Sequence, residues 1–433
     1  MNSIKTVKLS ECSEKEREAL LKRSELNIRS VLPQVVKIVS DVRGAGDKAL
    51  LKYGERFDCT KLRGGELRVS EAEFQLACKQ LDTATVRAIE KAAGSIKRFH
   101  VKQLPQGWTT QLAPGVKVGQ LVRPLESVGI YVPGGLARYP SSLLMAAIPA
   151  RVAGVKRVVV CTPPVKNGKI DAAVLAAAKV ARVDAVFKVG GAQAIAAMAY
   201  GTETVPRVDK IVGPGNVYVV AAKQAVATDV DIDFAAGPSE VLIVADNSAV
   251  PSFVAADLVS QAEHDPNAAA VLVTTSKELA SKVQELVEKM IEEDPRKQVV
   301  RKALEKYGRI VLVRNLNRAI EFANDYAPEH IQLMVKQSRK LLKQIKNAGS
   351  IFVGAYSPVA AGDFAVGPNH ILPTGGAARR RSSLSVLDFV KLLTVQELSE
   401  EGLKRVAETA KLLAEVEGLP GHARSIEERL RKV

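Results

Sequence analysis

Histidine is scarce in this 433-residue sequence, five in all, and four of the five fall between His264 and His422. Each of those four sits among acids, amides and glycines rather than in an apolar run. His264 lies in Ser260-Gln261-Ala262-Glu263-His264-Asp265-Pro266, and His330 ends Tyr326-Ala327-Pro328-Glu329-His330. His370 follows Gly362-Asp363 and Gly367-Pro368-Asn369, and His422 closes Glu417-Gly418-Leu419-Pro420-Gly421. Imidazole is the commonest metal ligand and the side chain that exchanges protons near neutral pH. The sequence reads as that of an enzyme.

Two kinds of chemistry are on offer. On a helix, Gln261 and His264 are three residues apart and share one face. Asp265-Pro266 stops that helix and leaves His264 at its exposed end. Asp363 lies in a loop between Gly362 and Gly367, and His422 sits in a glycine-and-proline turn. Two imidazoles, a carboxylate and an amide oxygen suit zinc or a neighbouring divalent ion. The plainer reading makes His264 a helix cap and His422 a loop end. Glu329 and His330 are the candidates for proton transfer: an adjacent acid and base opening the strand Ile331-Gln332-Leu333-Met334-Val335, expected at a sheet edge. The alternative is a surface turn before a strand.

Glycine marks the ends of predicted strands. Val132-Pro133-Gly134-Gly135, Val189-Gly190-Gly191-Ala192-Gln193 and Val212-Gly213-Pro214-Gly215-Asn216 each follow an apolar strand and precede a helix. In an open α/β sheet such loops line the ligand crevice, where backbone amides meet a pyrophosphate. None is the Rossmann fingerprint; Gly213-Pro214-Gly215-Asn216-Val217-Tyr218 has tyrosine where the third glycine belongs. Singly the loops are ordinary turns, and in succession they point to a dinucleotide or another phosphate-bearing ligand.

The elements that must position these residues follow from periodicity. Glu11 to about His100 reads helical, with segments at 14–25, 31–42 and 84–100. From Ser127 short apolar strands (157–161, 185–189, 210–212, 241–244) alternate with helices (141–152, 172–181, 192–200, 217–226). The rhythm repeats through helix 250–263, strand 269–274, helices to Lys306, strand 309–313, helix 318–326 and strands 330–335 and 350–353. Such βα alternation predicts parallel sheets covered by helices. Pro373-Thr374-Gly375-Gly376 and the three arginines from Arg379 read as a linker, and 396–417 and 423–430 as a helical tail.

Bulk properties narrow the class. The length exceeds one typical domain. The four cysteines show no CxxC spacing, which argues against a thiolate metal site. Cys161 reads as a small buried residue rather than a nucleophile. The start has no apolar run of a signal peptide, and the longest apolar stretch is far too short to cross a bilayer, so no membrane partner and a cytoplasmic address are expected. Net charge is +15, yet 379–433 holds 11 basic and 9 acidic residues and aromatics are 4%, which leaves few platforms for nucleic acid. Steering of anionic ligands accounts for the excess.

In order, these segments resemble the histidinol dehydrogenase family over nearly the whole chain. The resemblance is most specific in 129–135, 212–216, Ala236-Gly237-Pro238-Ser239-Glu240, 260–264, 327–330, Gly362-Asp363 through His370, and 417–422. The first 100 residues match loosely, and the three arginines are more basic than the family's usual linker. The resemblance implies zinc-dependent oxidation of L-histidinol to L-histidine through bound L-histidinal, with NAD+ as acceptor, in the last steps of histidine biosynthesis. It places zinc ligands on Gln261, His264, Asp363 and His422, and the proton-transfer pair on Glu329 and His330. Substrate contacts fall on Ser239, His370 and Glu417 beside His330 and the metal ligands, and NAD contacts on Tyr131, Gln193 and Asn216. It also implies a homodimer whose C-terminal tail reaches the partner's active site. The expected fold is α/β, with two Rossmann-like parallel-sheet domains lacking the fingerprint and helical N- and C-terminal segments. Its expected division is 1–30; 31–130 with 237–378, carrying zinc and proton-transfer residues; an inserted NAD-binding 131–236; and a tail, 379–433.

Overall fold

A computed structural model describes residues 3–23, 27–58, 60–134, 138–165, 167–234 and 237–431. Cys59, together with Gly135 and Ala236 of the motifs above, lies outside them. The chain opens with β1 (Lys5–Lys8) and α1 (Glu14–Leu21), then α2 (Ile28–Ala45), α3 (Asp47–Phe57), α4 (Glu71–Gln80) and α5 (Thr83–Val101). A hairpin follows, β2 (Trp108–Ala113) and β3 (Val116–Pro124). The first βα series is β4 (Ser127–Tyr131), α6 (Pro140–Ala153), β5 (Arg157–Thr162), α7 (Ala172–Val180), β6 (Ala185–Lys188), α8 (Gly191–Tyr200), β7 (Lys210–Val212), α9 (Val217–Val226) and β8 (Asp231–Ile232). The second is β9 (Glu240–Ala245), α10 (Pro251–Ala262), β10 (Ala269–Thr274), α11 (Lys277–Glu293), α12 (Lys297–Tyr307), β11 (Arg309–Leu312), α13 (Leu316–Tyr326), β12 (His330–Met334), α14 (Ser338–Leu342) and β13 (Ser350–Val353). The chain ends with α15 (Val359–Ala361), a π-helical turn over Gly362–Val366, β14 (Val390–Leu398), α16 (Glu400–Val416) and α17 (Pro420–Arg431).

Both βα series build parallel sheets of the same order. The first runs β6-β5-β4-β7-β8 and the second β1-β11-β10-β9-β12-β13. In each, the series leaves its first strand in one direction and then returns to the other side of it, the reversal that creates a ligand crevice in Rossmann-like folds. Strands such as β9 and β10 are buried from end to end, as sheets covered on both faces require. One face of the first sheet packs on α2, α3, α8 and α9, and the other on α4 to α7. The second sheet lies between α10, α11 and α12 on one face and α13 on the other, where Leu20 and Leu21 of α1 also pack. Among the described residues no helix is long and apolar enough to cross a membrane.

Four expectations change. Val35, Ile38, Val39, Ile89, Ala93 and Ile96 share cores with the first sheet, so packing groups 28–101 with 127–232 rather than with 237–378. The N-terminal segment is not wholly helical: Lys5-Thr6-Val7-Lys8 adds β1 in parallel to β11. The tail is not wholly helical either. Residues 390–398 pair antiparallel with β3, and only after the Ser399 cap, whose Oγ accepts from Gly402 N, does α16 begin. Finally, the expected linker from Pro373 to Arg381 is no free tether: Pro373 and Thr374 are buried, and Ile371 and Leu384 on either side sit in the first sheet's core.

Candidate active site

Tyr131, Gln193 and Asn216 line one cavity of about 930 Å³ at the carboxyl ends of the first sheet. Each gets there for a local reason. Tyr131 is the last residue of β4, and its hydroxyl accepts from Gly191 N at 3.1 Å. Gln193 sits in the first turn of α8, buried, with its Nε2 lacking a hydrogen-bond partner. Asn216 caps α9, its Oδ1 accepting from Tyr218 N at 3.0 Å and Val219 N at 3.2 Å. Ahead of it Gly213 has φ +116°, and a Cβ there would lie 2.2 Å from the Tyr131 carbonyl oxygen, so only glycine fits. Gly213 is clamped by a buried ion pair: its N donates to Asp233 Oδ2 at 2.8 Å and its carbonyl accepts from Lys223 Nζ at 2.9 Å. Asp58 shares the cavity, and burial lifts its pKa to about 6.

Glu329 and His330 stand at the opposite end of the second sheet. β12 lies between β9 and β13, so the pair opens an inner strand at the sheet's amino end rather than standing on an edge. Because α10 follows β9 and runs back along the sheet, its last turn returns to this same end. That return brings Gln261 and His264 towards Glu329 and His330, 65 or more residues away in sequence. Asp257, one turn before Gln261, accepts from Gln332 Nε2 at 2.7 Å, which fixes α10 against β12. Gln261 is buried, whereas His264 lies just beyond the helix and is exposed.

The pair hangs on Glu240. Glu240 N donates to Glu329 Oε2 at 2.7 Å, and Glu329 N donates back to Glu240 Oε1 at 3.1 Å. His330 Nδ1 is 3.1 Å from the Glu240 carbonyl oxygen, which makes Nδ1 the protonated nitrogen and the donor. Its Nε2 is buried, has no hydrogen-bond partner, and lies 3.6 Å from Asp363 Oδ1. Burial disfavours the imidazolium, but the Glu329 and Asp363 carboxylates outweigh it and hold the His330 pKa up at about 10. Burial also lifts Glu240 to about 7 against the pull of Arg23, with the Glu329 charge adding to the lift. Just upstream, Ala327 takes φ +49°, a left-handed conformation costing a residue with a Cβ ~1–2 kcal/mol. Beyond the pair, Ser350 N donates to the Glu329 carbonyl at 2.8 Å.

Asp363 rides on the π-helical turn, a rare geometry often found at functional sites. Burial opposes its ionisation, yet His330, then His370 and His264, hold its carboxyl below the usual range. His370 Nδ1 donates to the Asp363 carbonyl at 2.9 Å, and its Nε2 lies 3.3 Å from Ser142 Oγ in the first turn of α6. Ser142 follows β4, on the side of the first sheet that carries the larger cavity. Contacts thus run from the carboxyl end of one sheet through His370 and Asp363 to His330 at the amino end of the other. His330, Asp363 and His370 line a second cavity of about 290 Å³. Ser239 precedes β9 beside the pair, half-buried.

The structure does not bring every nominated residue together. His422 is the third residue of α17, not part of a turn, and both it and Glu417 at the end of α16 are exposed. Among the described residues, no three His, Cys, Asp or Glu side chains converge as a metal site, so His422 does not join His264 and Asp363 within one chain. Cys161 is buried with its thiol pKa raised by burial, as a packing residue should be. Sequence reading missed Arg23, Ser142 and the role of Glu240. Spacing carries no trace of a partner 200 or 300 residues away, although Glu240 does close one of the conspicuous motifs. The fifth histidine, His100, is a buried brace, donating from Nδ1 to the Ile96 carbonyl at 2.8 Å and meeting Asn369 Nδ2 at Nε2.

Comparison with known proteins gives the family. Residues 21–430 match the family model described as histidinol dehydrogenase. The histidinol dehydrogenase of Methanothermobacter thermautotrophicus is 50% identical over 425 residues, covering 98% of this chain and 99% of that protein. That of Methanopyrus kandleri is 51% identical over 421 residues, covering 96% and 98%. The crystal structure of histidinol dehydrogenase from Elizabethkingia anophelis matches with a TM-score of 0.96 at 37% identity, covering 100% of this chain and 99% of that one. The chain belongs to the histidinol dehydrogenase family.

Proposed function

We propose that this oxidoreductase converts L-histidinol to L-histidine through bound L-histidinal in the last steps of histidine biosynthesis, passing two hydrides to two NAD+ in the cytoplasm. The observation that carries the reading is the run of contacts Ser142–His370–Asp363–His330, which links the carboxyl end of the first sheet, where the dinucleotide-sized cavity lies, to a buried base. Tyr131, Gln193 and Asn216 would bind NAD, with the orphaned Gln193 Nε2 free to donate.

The donor set fits zinc. Gln261, His264 and Asp363 offer an amide oxygen, an imidazole and a carboxylate at one end of the second sheet, and His422 of a second copy of the chain would complete four ligands. When bound, zinc would orient the substrate's imidazole and amine and take up the charge of Asp363, one of two carboxylates that hold a proton on His330. The chain's own residues do the rest. With Nδ1 committed to the Glu240 carbonyl, His330 accepts the alcohol proton at Nε2 as hydride leaves the carbinol carbon for NAD+. Glu329 takes a proton from the water that adds to the aldehyde, and His330 returns its proton to the aldehyde oxygen, which frees Nε2 again. The hydrate is again an alcohol, so His330 serves the second hydride transfer in the same way. Ser239, His370 and Glu417 contact the substrate.

The chain would work as a homodimer. β14, β3 and β2 form a three-stranded ribbon whose Trp108, Leu112, Leu392 and Leu393 stay exposed, and Val416 beside Glu417 is 84% exposed. At the mouth of the smaller cavity Tyr356 is 90% exposed. Apolar surface on the tail and at the cavity mouth supports a tail that covers the partner's site. No nucleic acid and no membrane enter the reading.

The test is incubation of metal-free and zinc-restored protein with L-histidinol and NAD+. The expected result is two reduced nicotinamides per L-histidine formed, in the zinc-restored protein alone. A zinc hydrolase using Glu329 as base would reduce no nicotinamide, and that result would overturn the reading.

A further inference from the structure

We propose that Arg23 is a positioning residue for the Glu329–His330 pair, acting through Glu240 and the left-handed turn at Ala327; the proposal rests on the proton-transfer reading above. Arg23 lies two residues beyond α1, some three hundred residues from the pair in sequence, yet its side chain is only 7% exposed. Its guanidinium carbon stacks 3.9 Å from the Tyr326 ring centroid. Nη2 donates to the Tyr326 carbonyl at 2.5 Å and the Ala327 carbonyl at 3.2 Å, and Nη1 to the Leu21 carbonyl at 3.2 Å. Nε approaches Glu240 Oε2 at 2.5 Å.

Each contact bears on the site. Tyr326 and Ala327 are the last turn before Pro328, Glu329 and His330, and Ala327 holds a conformation that a non-glycine residue keeps only when its surroundings impose it. Arg23 supplies that constraint by holding two successive carbonyls. Glu240 is the other anchor: its N–H fixes the Glu329 carboxylate and its carbonyl fixes the His330 ring. The Glu240 carboxylate in turn takes the N–H group of Glu329 and faces Arg23. Two buried carboxylates, Glu240 and Glu329, therefore exchange backbone hydrogen bonds side by side, and Arg23 supplies the positive charge that favours the ionised form of Glu240 there. Without it, protonation of Glu240 is favoured, and the Glu240 backbone that anchors both reacting side chains loses its tether.

A residue that merely ties down the N-terminal segment would behave differently from one that sets the pair, and substitution separates the two. Arg23→Met removes the charge and the carbonyl clamp, whereas Arg23→Lys keeps charge near Glu240 and loses the fork that spans two carbonyls. Supporting residues around reacting groups are typically worth about 10–100-fold. Expected for Arg23→Met is a kcat fall of about that size with the KM for NAD+ and the zinc content unchanged, and for Arg23→Lys an intermediate kcat. The decisive comparison is made on oxidation of L-histidinal in a Glu329→Gln background. There Arg23→Met is expected to cost less than it does with Glu329 intact, because one of the two groups it positions is already disabled. Full additivity, or an unchanged kcat in Arg23→Met, overturns the proposal. Should Arg23→Met fail to fold, Arg23→Lys is measured alone and in the same background, with the same two outcomes deciding. If Glu329→Gln by itself leaves L-histidinal oxidation intact, the proton-transfer reading is what fails.

Discussion

His264→Ala is expected to lose bound zinc and L-histidinol oxidation together, with activity falling to background. The ligand set has no spare member: Gln261 and Asp363 are the other candidates in the same chain, and His422 would come from a second copy. The fold should persist. His264 is exposed beyond the end of α10, and the helix is held by Leu258, Val259 and Ala262, which are buried against the second sheet. Metal analysis of purified protein, read beside its thermal melting, checks both halves. Full zinc occupancy in a folded His264→Ala protein would remove His264 from the ligand set.

Glu329→Gln is expected to keep zinc and to separate the two half-reactions. Oxidation of L-histidinal needs a hydrated aldehyde and should slow by ~100-fold or more, the usual contribution of a general base to the step it serves. Oxidation of L-histidinol to L-histidinal uses His330 and should be hurt much less. The amide is a fair probe of chemistry alone, because its oxygen can still accept from Glu240 N, the contact now made by Glu329 Oε2 at 2.7 Å. Supplying L-histidinal directly isolates the second step in stopped-flow measurements. Equal losses in both halves would assign Glu329 another role.

The chain shows its α/β character locally and its site only in part. The buried strands β9 and β10 and the helices after them were legible because unbroken apolar runs bounded by proline, serine, aspartate and asparagine leave little alternative. β14 was misread as helix because Gln396-Glu397-Leu398 is polar enough to continue α16, and its strand character depends on β3, which lies 270 residues earlier. The division into units went astray for a similar reason. The apolar faces of α2 and α5 announce burial but not which sheet they cover. At the site, residue types and glycine-rich surroundings singled out Glu329, His330 and Asp363, and the fold brings these three together. Arg23 and Ser142 sit in ordinary helical sequence and acquire meaning only through contacts that the two sheets create. The three arginines from Arg379 remain without a role at the site; Arg379 itself donates to the Asp325 carbonyl.

That each site joins Glu329 and His330 of one chain to His422 of its partner is tested most directly by mixing His330→Ala with His422→Ala, each inactive alone. The two are unfolded and refolded together in equal amounts. In a mixed dimer one site receives both defects and the other receives neither, and random pairing makes about half the dimers mixed under two-fold symmetric assembly. The activity expected is therefore about a quarter of that of the unmodified protein, with mixed dimers confirmed by mass. Activity remaining at the level of the separate variants, with mixed dimers present, would mean that His422 serves its own chain and that the site is not shared.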